Sequence, residues 1–267
     1  MSDILITRAD GIVTVTFNRP TKKNAITGPI WTELERVTTE VMTNRDDRVL
    51  VLKGAGEDFS AGADLSGGLG NPGQPKPEGE EAGQAILHEM RKVGEIVNRL
   101  HRLPKPTLAV VDGVCLGVAF GLALACDLVI ASDRARFGAV FAKRGLALDG
   151  GLSWSLPRSV GMRRAKQMAF FGDMIGAEEA LEAGMINACV PAEDLQRVGE
   201  EWADRLANSA TTALGLIKRQ MDANSAIPMD KALEDEARSQ HIAFTTSDMH
   251  EGIRAFMERR DPRFTGR

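Results

Sequence analysis

The chain has 267 residues, with 33 basic against 37 acidic side chains and a formal charge of −4. That length buries a substantial core and fits one large domain, or one domain with an appendage. The near balance of charge, with recurring Leu, Ile, Val and Ala, excludes global disorder and supplies no cationic field for nucleic acid.

The scarce residue types narrow the chemistry. Cys115, Cys126 and Cys189 show no CxxC spacing, and His88, His101, His241 and His250 form no HExxH-like pair, against a disulfide framework or a bound metal. With four histidines and no tyrosine, acid–base chemistry falls to a carboxylate.

Ile4-Leu5-Ile6 and the alternating Val13, Val15 and Phe17 predict a β-hairpin around Ala9-Asp10-Gly11. Thr27-Gly28-Pro29 opens a helix whose apolar stripe is Ile30, Leu34, Val37 and Val41. Val49–Leu52 reads as a strand covered on both faces. From Ser66 to Gln84 the composition turns to Gly, Pro and polar residues and predicts a surface loop, with a helix from about Ala85 to His101. Thr107–Val111, a small-residue helix from Gly117 to about Ala125, and Asp127–Ala131 make a compact β-α-β crossover. Beyond Gly151 the pattern is mostly helical: one amphipathic helix carries Leu195, Val198, Trp202 and Leu206, and three more cover 210–222, 229–244 and 247–258. No internal repeat is apparent.

Met1-Ser2-Asp3 lacks the basic and apolar regions of a signal peptide. The most apolar charge-free stretch, Gly113 to Cys126, has 14 residues, short of the ~20 that span a bilayer. The expectation is a cytoplasmic protein with neither a membrane nor a nucleic-acid partner.

Three clusters stand out. Phe59-Ser60-Ala61-Gly62-Ala63-Asp64-Leu65 is either a tight turn or a small-residue segment whose backbone N–H groups face a ligand. Gly113, Gly117 and Gly121 recur at helical spacing, which serves close helix packing or leaves free N–H groups of Gly117 and Val118 at a helix start. Taken together, the two segments suggest an oxyanion hole of two backbone donors. In Gly145–Gly151 a lone carboxylate, Asp149, sits among leucines and glycines. It reads as a cap for a helix starting near Leu152, or as an acid/base against apolar walls, where desolvation raises a carboxyl pKa.

In this order the segments resemble the enoyl-CoA hydratase/isomerase (crotonase) family over nearly the whole chain. The resemblance is carried by Val15–Pro20 with Lys23-Asn24-Ala25, by Phe59–Leu65, by Val111–Gly117 with Cys126-Asp127-Leu128, and by Ala135–Gly138. Arg158–Gly161, Ala180–Ile186 and Gly252–Phe264 extend it to the C-terminus. It implies an α/β fold: a crotonase-like spiral of ββα turns over residues 1–200 holding an acyl-CoA site, and a helical C-terminal trimerisation region over 201–267. Self-association as a homotrimer or a dimer of trimers follows from it, as does coenzyme A as part of the substrate thioester, with no prosthetic group and no metal. By position, Ala63 and Val118 would hold the thioester oxygen. Lys23, Ala25, Ala61, Asp64 and Leu65 would contact CoA. Lys22, Lys23, Arg259, Arg260 and Arg263 face its phosphates or are simply solvated. Phe120, Phe141 and the 66–84 loop are candidates to shape the acyl pocket.

The pattern is also broken. Hydratases of this family use two glutamates, and the corresponding positions here hold Gly121 and Phe141. Neither residue can activate water or deliver a proton. Asp149 resembles the single acidic residue of some family isomerases, so the expected reaction is a double-bond shift through an enolate. The alternatives are a hydratase with a non-standard mechanism, an aryl-CoA dehalogenase-like enzyme, whose branch uses a histidine at a place that neither His88 nor His101 matches, and a non-catalytic acyl-CoA-binding protein.

Overall fold

The computed structural model describes residues 2–66 and 79–267. The hairpin forms as expected, β1 (Ile4–Ala9) antiparallel to β2 (Ile12–Phe17). Val13, Val15 and Phe17 turn to one face and are fully buried. From β2 the sheet continues in parallel through β3 (Val49–Gly54), β4 (Thr107–Val111), β6 (Leu128–Ser132) and β9 (Ala188–Val190). Both faces are covered, which explains the unbroken apolar runs. Leu50, Leu52, Ala109, Val111 and Val129 point into the main core. Val49, Val51, Leu108, Val110 and Ile130 pack instead under α7 (Leu195–Ala207). The expected division after residue 200 falls inside that helix.

A second sheet, β5 (Val114–Leu116), β7 (Arg136–Gly138) and β8 (Met174–Gly176), lies beside the first. Single bridges extend it: Ser60 pairs with Cys115, and Ile26 with Ala63. Each pass of the chain thus runs from a long strand, through a short one, into a helix. The helices are α1 (Gly28–Thr43), α2 (Gly79–His101), α3 (Val118–Ala125) and α4 (Leu152–Val160). The repeat hidden in the sequence is this ββα spiral. Its short-strand pieces are one to three residues long, too few for an alternation to register.

The loop expected over 66–84 is corrected in part. Residues 67–78 lie outside the described residues, but Gly79–Gln84 are already helical. Glu, Ala and Gln are good helix formers, and low apolar content alone does not distinguish such a segment from a loop.

After α5 (Met162–Phe171) and α6 (Ala177–Glu182), the C-terminal helices are α8 (Thr211–Asn224), α9 (Met229–Ala243) and α10 (Ser247–Glu258). Polar anchors tie this region to the spiral. Lys218 meets Asp127 at 3.0 Å. Arg48 at the start of β3 donates to the Ser209 and Phe264 carbonyls, at 2.6 and 3.0 Å. Within the C-terminal region, buried Asp248 accepts from the Thr265 and Gly266 amides, at 2.6 and 2.7 Å. Among the described residues no helix is long and apolar enough to cross a membrane.

Candidate active site

Three segments far apart in sequence converge at the N-terminus of α3. The first is the turn after β3. Ser60 exchanges backbone hydrogen bonds with Val114 and Leu116, at 2.9 and 3.0 Å, and Ile26 with Gly62 and Asp64, at 2.8 and 2.9 Å. Ala63 is therefore flanked by paired residues, with its own N–H directed away from the ladder. Among the described residues that N–H finds no acceptor. The second segment is Gly117-Val118. Gly117 donates to the Gly138 carbonyl at 2.9 Å and caps α3, and Val118 is the first helical residue, whose N–H has no intrahelical partner. The segments touch through glycine: a Cβ on Gly62 would lie 2.8 Å from the Leu116 carbonyl oxygen and 3.7 Å from Gly117 Cα. Ala63 and Val118 each follow one of these contacting glycines, so two unpaired donors stand side by side.

The third segment carries Asp149. Leu148 packs on the main core and Leu152 is fully buried, so the aspartate is held between two apolar anchors. The helix begins at Leu152 as expected, but Asp149 does not cap it. Gly151 occupies the cap position with no side-chain bond. The Asp149 Oδ1 is buried with no hydrogen-bond partner. Burial raises its pKa from 3.8 to about 6, and no charged neighbour contributes to the shift. A carboxyl group poised near neutrality in apolar surroundings suits general acid–base work. Its neighbour Gly150 lies against α3, where a Cβ would fall 3.0 Å from Val118 Cγ2 and 3.3 Å from Val118 Cα. Asp149 is thus one residue from a direct contact with the second donor segment.

The expected CoA-contacting residues are also gathered. Ala61 donates to the Lys23 carbonyl at 2.8 Å, the parallel Ile26–Ala63 bridge sets Ala25 beside Gly62, and Arg19 donates to both the Ala25 carbonyl and the Asp64 carboxylate, at 2.7 and 2.8 Å. Lys23 is exposed and pairs with Asp58 at 3.1 Å. The Asp64 carboxylate is already engaged. Ser66 donates to it from its hydroxyl and amide and Arg19 from its guanidinium, holding its pKa near 2. Arg260 is likewise occupied, by Glu251 and Glu258.

Sequence reasoning passed over Asn24 as a separate element. It is fully buried, accepts from the Arg19 amide at 2.9 Å and donates to the Ala55 and Asp58 carbonyls at 2.8 and 2.6 Å. It latches the Lys23–Ala25 segment to the turn after β3. Its position inside the Lys-Asn-Ala triplet was the available signal.

A cleft of about 840 Å³ opens between α2, α3, α4 and α8, with Gly121 and Gly150 in its wall and Val97, Leu124, Trp154 and Leu216 beside them. Phe120 does not line it. That ring is fully buried against Phe137, 5.7 Å between centroids, because its place on α3 turns it into the core. Phe141 is buried too, and its ring tip lies 3.8 Å from where a Cβ on Gly117 would stand. His101 lines the cleft, 3.6 Å from Asp222 and edge-on to Trp154, while His88 is exposed. Among the described residues no three His, Cys, Asp or Glu side chains gather to hold a metal ion.

This arrangement matches known proteins over its full extent. Residues 7–267 match the family model described as enoyl-CoA hydratase/isomerase. The chain belongs to the enoyl-CoA hydratase/isomerase family. It is 37% identical to the 1,2-epoxyphenylacetyl-CoA isomerase of Escherichia coli over 257 residues, 96% of each chain. With the 2,3-dehydroadipyl-CoA hydratase of the same organism the identity is 30% over 267 residues, 100% of each. The crystal structure of enoyl-CoA hydratase from Bacillus anthracis superposes with a TM-score of 0.90 at 29% identity, covering 100% of both chains. The fold is therefore the crotonase α/β fold with a helical C-terminal region. The protein is a crotonase-family acyl-CoA enzyme, of a family that acts on CoA thioesters without a prosthetic group.

Proposed function

We propose that the protein is an enoyl-CoA isomerase that shifts a double bond with Asp149 as its single acid/base. The supporting observation is the half-buried Asp149 carboxyl, its buried Oδ1 without a hydrogen-bond partner, one residue from the contact between Gly150 and the Val118 donor segment. In this reading the thioester oxygen sits between the Ala63 and Val118 amides. Asp149 takes a proton from the α- or γ-carbon, and the electron pair of the broken C–H bond delocalises onto the thioester oxygen. Each donor stabilises that charge by about 3–4 kcal/mol. The carboxylic acid then returns the proton at the other carbon, so no water enters the balance. The acyl chain runs past Gly121 and Gly150 into the cleft, and CoA lies along Lys23, Ala25, Ala61, Asp64 and Leu65.

The proposal extends to assembly as a homotrimer or a dimer of trimers. What supports it is that Phe256, Met257 and Met229 are 84, 78 and 76% exposed on the C-terminal helices, apolar side chains that a partner chain would cover.

Wild type and Asp149→Asn are compared on trans-2- and trans-3-enoyl-CoA in deuterated water. A positional shift with deuterium incorporation, lost in the variant, is expected. Water addition undiminished in Asp149→Asn would overturn the assignment, as would halide release from a 4-halobenzoyl-CoA with no isomerisation. Thioester binding without exchange in the wild type would mark a non-catalytic acyl-CoA binder.

A further inference from the structure

We propose that Gly121 is a positioning residue for Asp149: the side-chain-free contact between Gly121 and Gly150 sets the carboxyl against the Val118 amide. Position 121 then marks no mere loss of a glutamate; it is the seat on which a single-carboxylate site is built. The inference rests on the isomerase reading for its kinetic consequences, although the contact itself does not.

A Cβ on Gly121 would overlap the Gly150 carbonyl oxygen and fall 2.8 Å from its carbon and 3.0 Å from its Cα. Nothing flexible can yield there, since all three atoms are backbone. Gly150 also meets Val118 on the same face of α3, and its φ of 60° is a conformation that glycine adopts without strain. The Gly150 peptide is therefore wedged against two successive turns of α3, at Val118 and at Gly121. Asp149 is the adjacent residue. The donor segment and the Asp149 backbone are thus registered by a contact made at Gly121 through backbone atoms alone.

Two consequences follow. Any side chain at 121 pushes Gly150 outward and carries Asp149 with it, opening the carboxyl to water. Reacting groups displaced by about 1 Å commonly lose ~100-fold in rate. A glutamate at 121 cannot reach a catalytic pose without destroying the Asp149 seat, so one substitution does not rebuild a hydratase.

The test uses full-length Gly121→Ala, with Asp149→Asn and Val118→Ala in parallel. The readouts are the pH profile of kcat on trans-3-hexenoyl-CoA, KM, and a ¹³C NMR titration of the aspartate carboxyls. For Gly121→Ala the expected result is a kcat about 100-fold lower, KM within about threefold, and an Asp149 titration and acid limb moved from near 6 toward the ordinary carboxyl range. Val118→Ala, which removes the methyl facing Gly150, carries the same readouts at roughly fivefold if Gly121→Ala does not fold. Wild-type kcat, or a loss of kcat with no movement of the titration or the limb, would overturn the positioning role. Water addition by Gly121→Glu would overturn it as well. Activity retained in Asp149→Asn would instead remove the acid/base assignment; the NMR titration of Gly121→Ala still judges the contact on its own.

Discussion

Replacing Asp149 by asparagine is expected to stabilise the protein while abolishing its chemistry. The folded pKa is about 6 against an ordinary 3.8, with burial as the cause. Below pH 3.8 the carboxyl is protonated in both states and carries no penalty. As pH rises from 3.8 to 6 the unfolded chain releases its proton first, so the folded state loses stability. Above 6 the loss is complete. At ~1.4 kcal/mol per pH unit this amounts to about 3 kcal/mol. Asparagine avoids the ionisation but leaves amide hydrogens unpartnered, offsetting roughly 1 kcal/mol. A net gain of about 2 kcal/mol at pH 8 corresponds to roughly 4–8 °C in Tm for a chain of this size. Scanning calorimetry at matched protein concentration, from pH 4 to 8, checks it. The two melting temperatures should cross between pH 4 and 5, draw apart up to pH 6 and keep a constant separation above it. A constant difference across that range, or a less stable variant at pH 8, would refute the claim that Asp149 is held desolvated and unpaired.

Asn24→Ala leaves two buried carbonyls and the Arg19 amide without partners, so urea denaturation should show a loss of about 2–4 kcal/mol. Titration calorimetry with CoA should weaken in parallel, because the latch holds the Lys23–Ala25 segment. Asp248→Ala removes a buried acceptor of the Thr265 and Gly266 amides; a loss of about 2–4 kcal/mol and early proteolysis of the C-terminal tail are expected. Unchanged proteolysis would show that other contacts hold the tail. Phe256→Glu puts a charge on the most exposed aromatic ring of α10 and should shift sedimentation from a multiple of three chains to smaller species. A wild type that sediments as a single chain would end the assembly proposal.

Legibility of the sequence followed element length. The alternation of β2, the stripe of α1 and the apolar runs of β3 and β4 each span enough residues for their period to appear. The second sheet was invisible because Val114–Leu116, Arg136–Gly138 and Met174–Gly176 have three residues each. Asp149 could be singled out as a lone carboxylate in an uncharged stretch, but not its orphaned Oδ1, which depends on what packs around it. Gly121 was legible only as an absent glutamate. Its contact with Gly150, 29 positions away, arises from how α3 meets the loop before α4, and no local pattern encodes that. Phe120 shows the converse error: an aromatic beside a glycine motif looked like a pocket wall, and the helical turn put it in the core.

The same contacts bear on which reaction the site can run. Water addition across a double bond needs one group to activate water and another to deliver a proton. Of the two positions where the family's hydratases keep those groups, one is closed by the Gly150 backbone and the other holds a buried ring packed toward Gly117. Neither position supplies a side chain that can carry a proton. A proton shuttle between two carbons of one bound molecule needs only a single base of near-neutral pKa and a stabilised oxyanion. Partial burial is then an advantage, because it keeps the Asp149 pKa raised. A carboxylate kept for structure would have been given a partner, as Asp64 is by Arg19 and Asp248 by the C-terminal tail. Asp149, with no hydrogen bond to its buried Oδ1 among the described residues, has none, and the fold bears about 3 kcal/mol to keep it so.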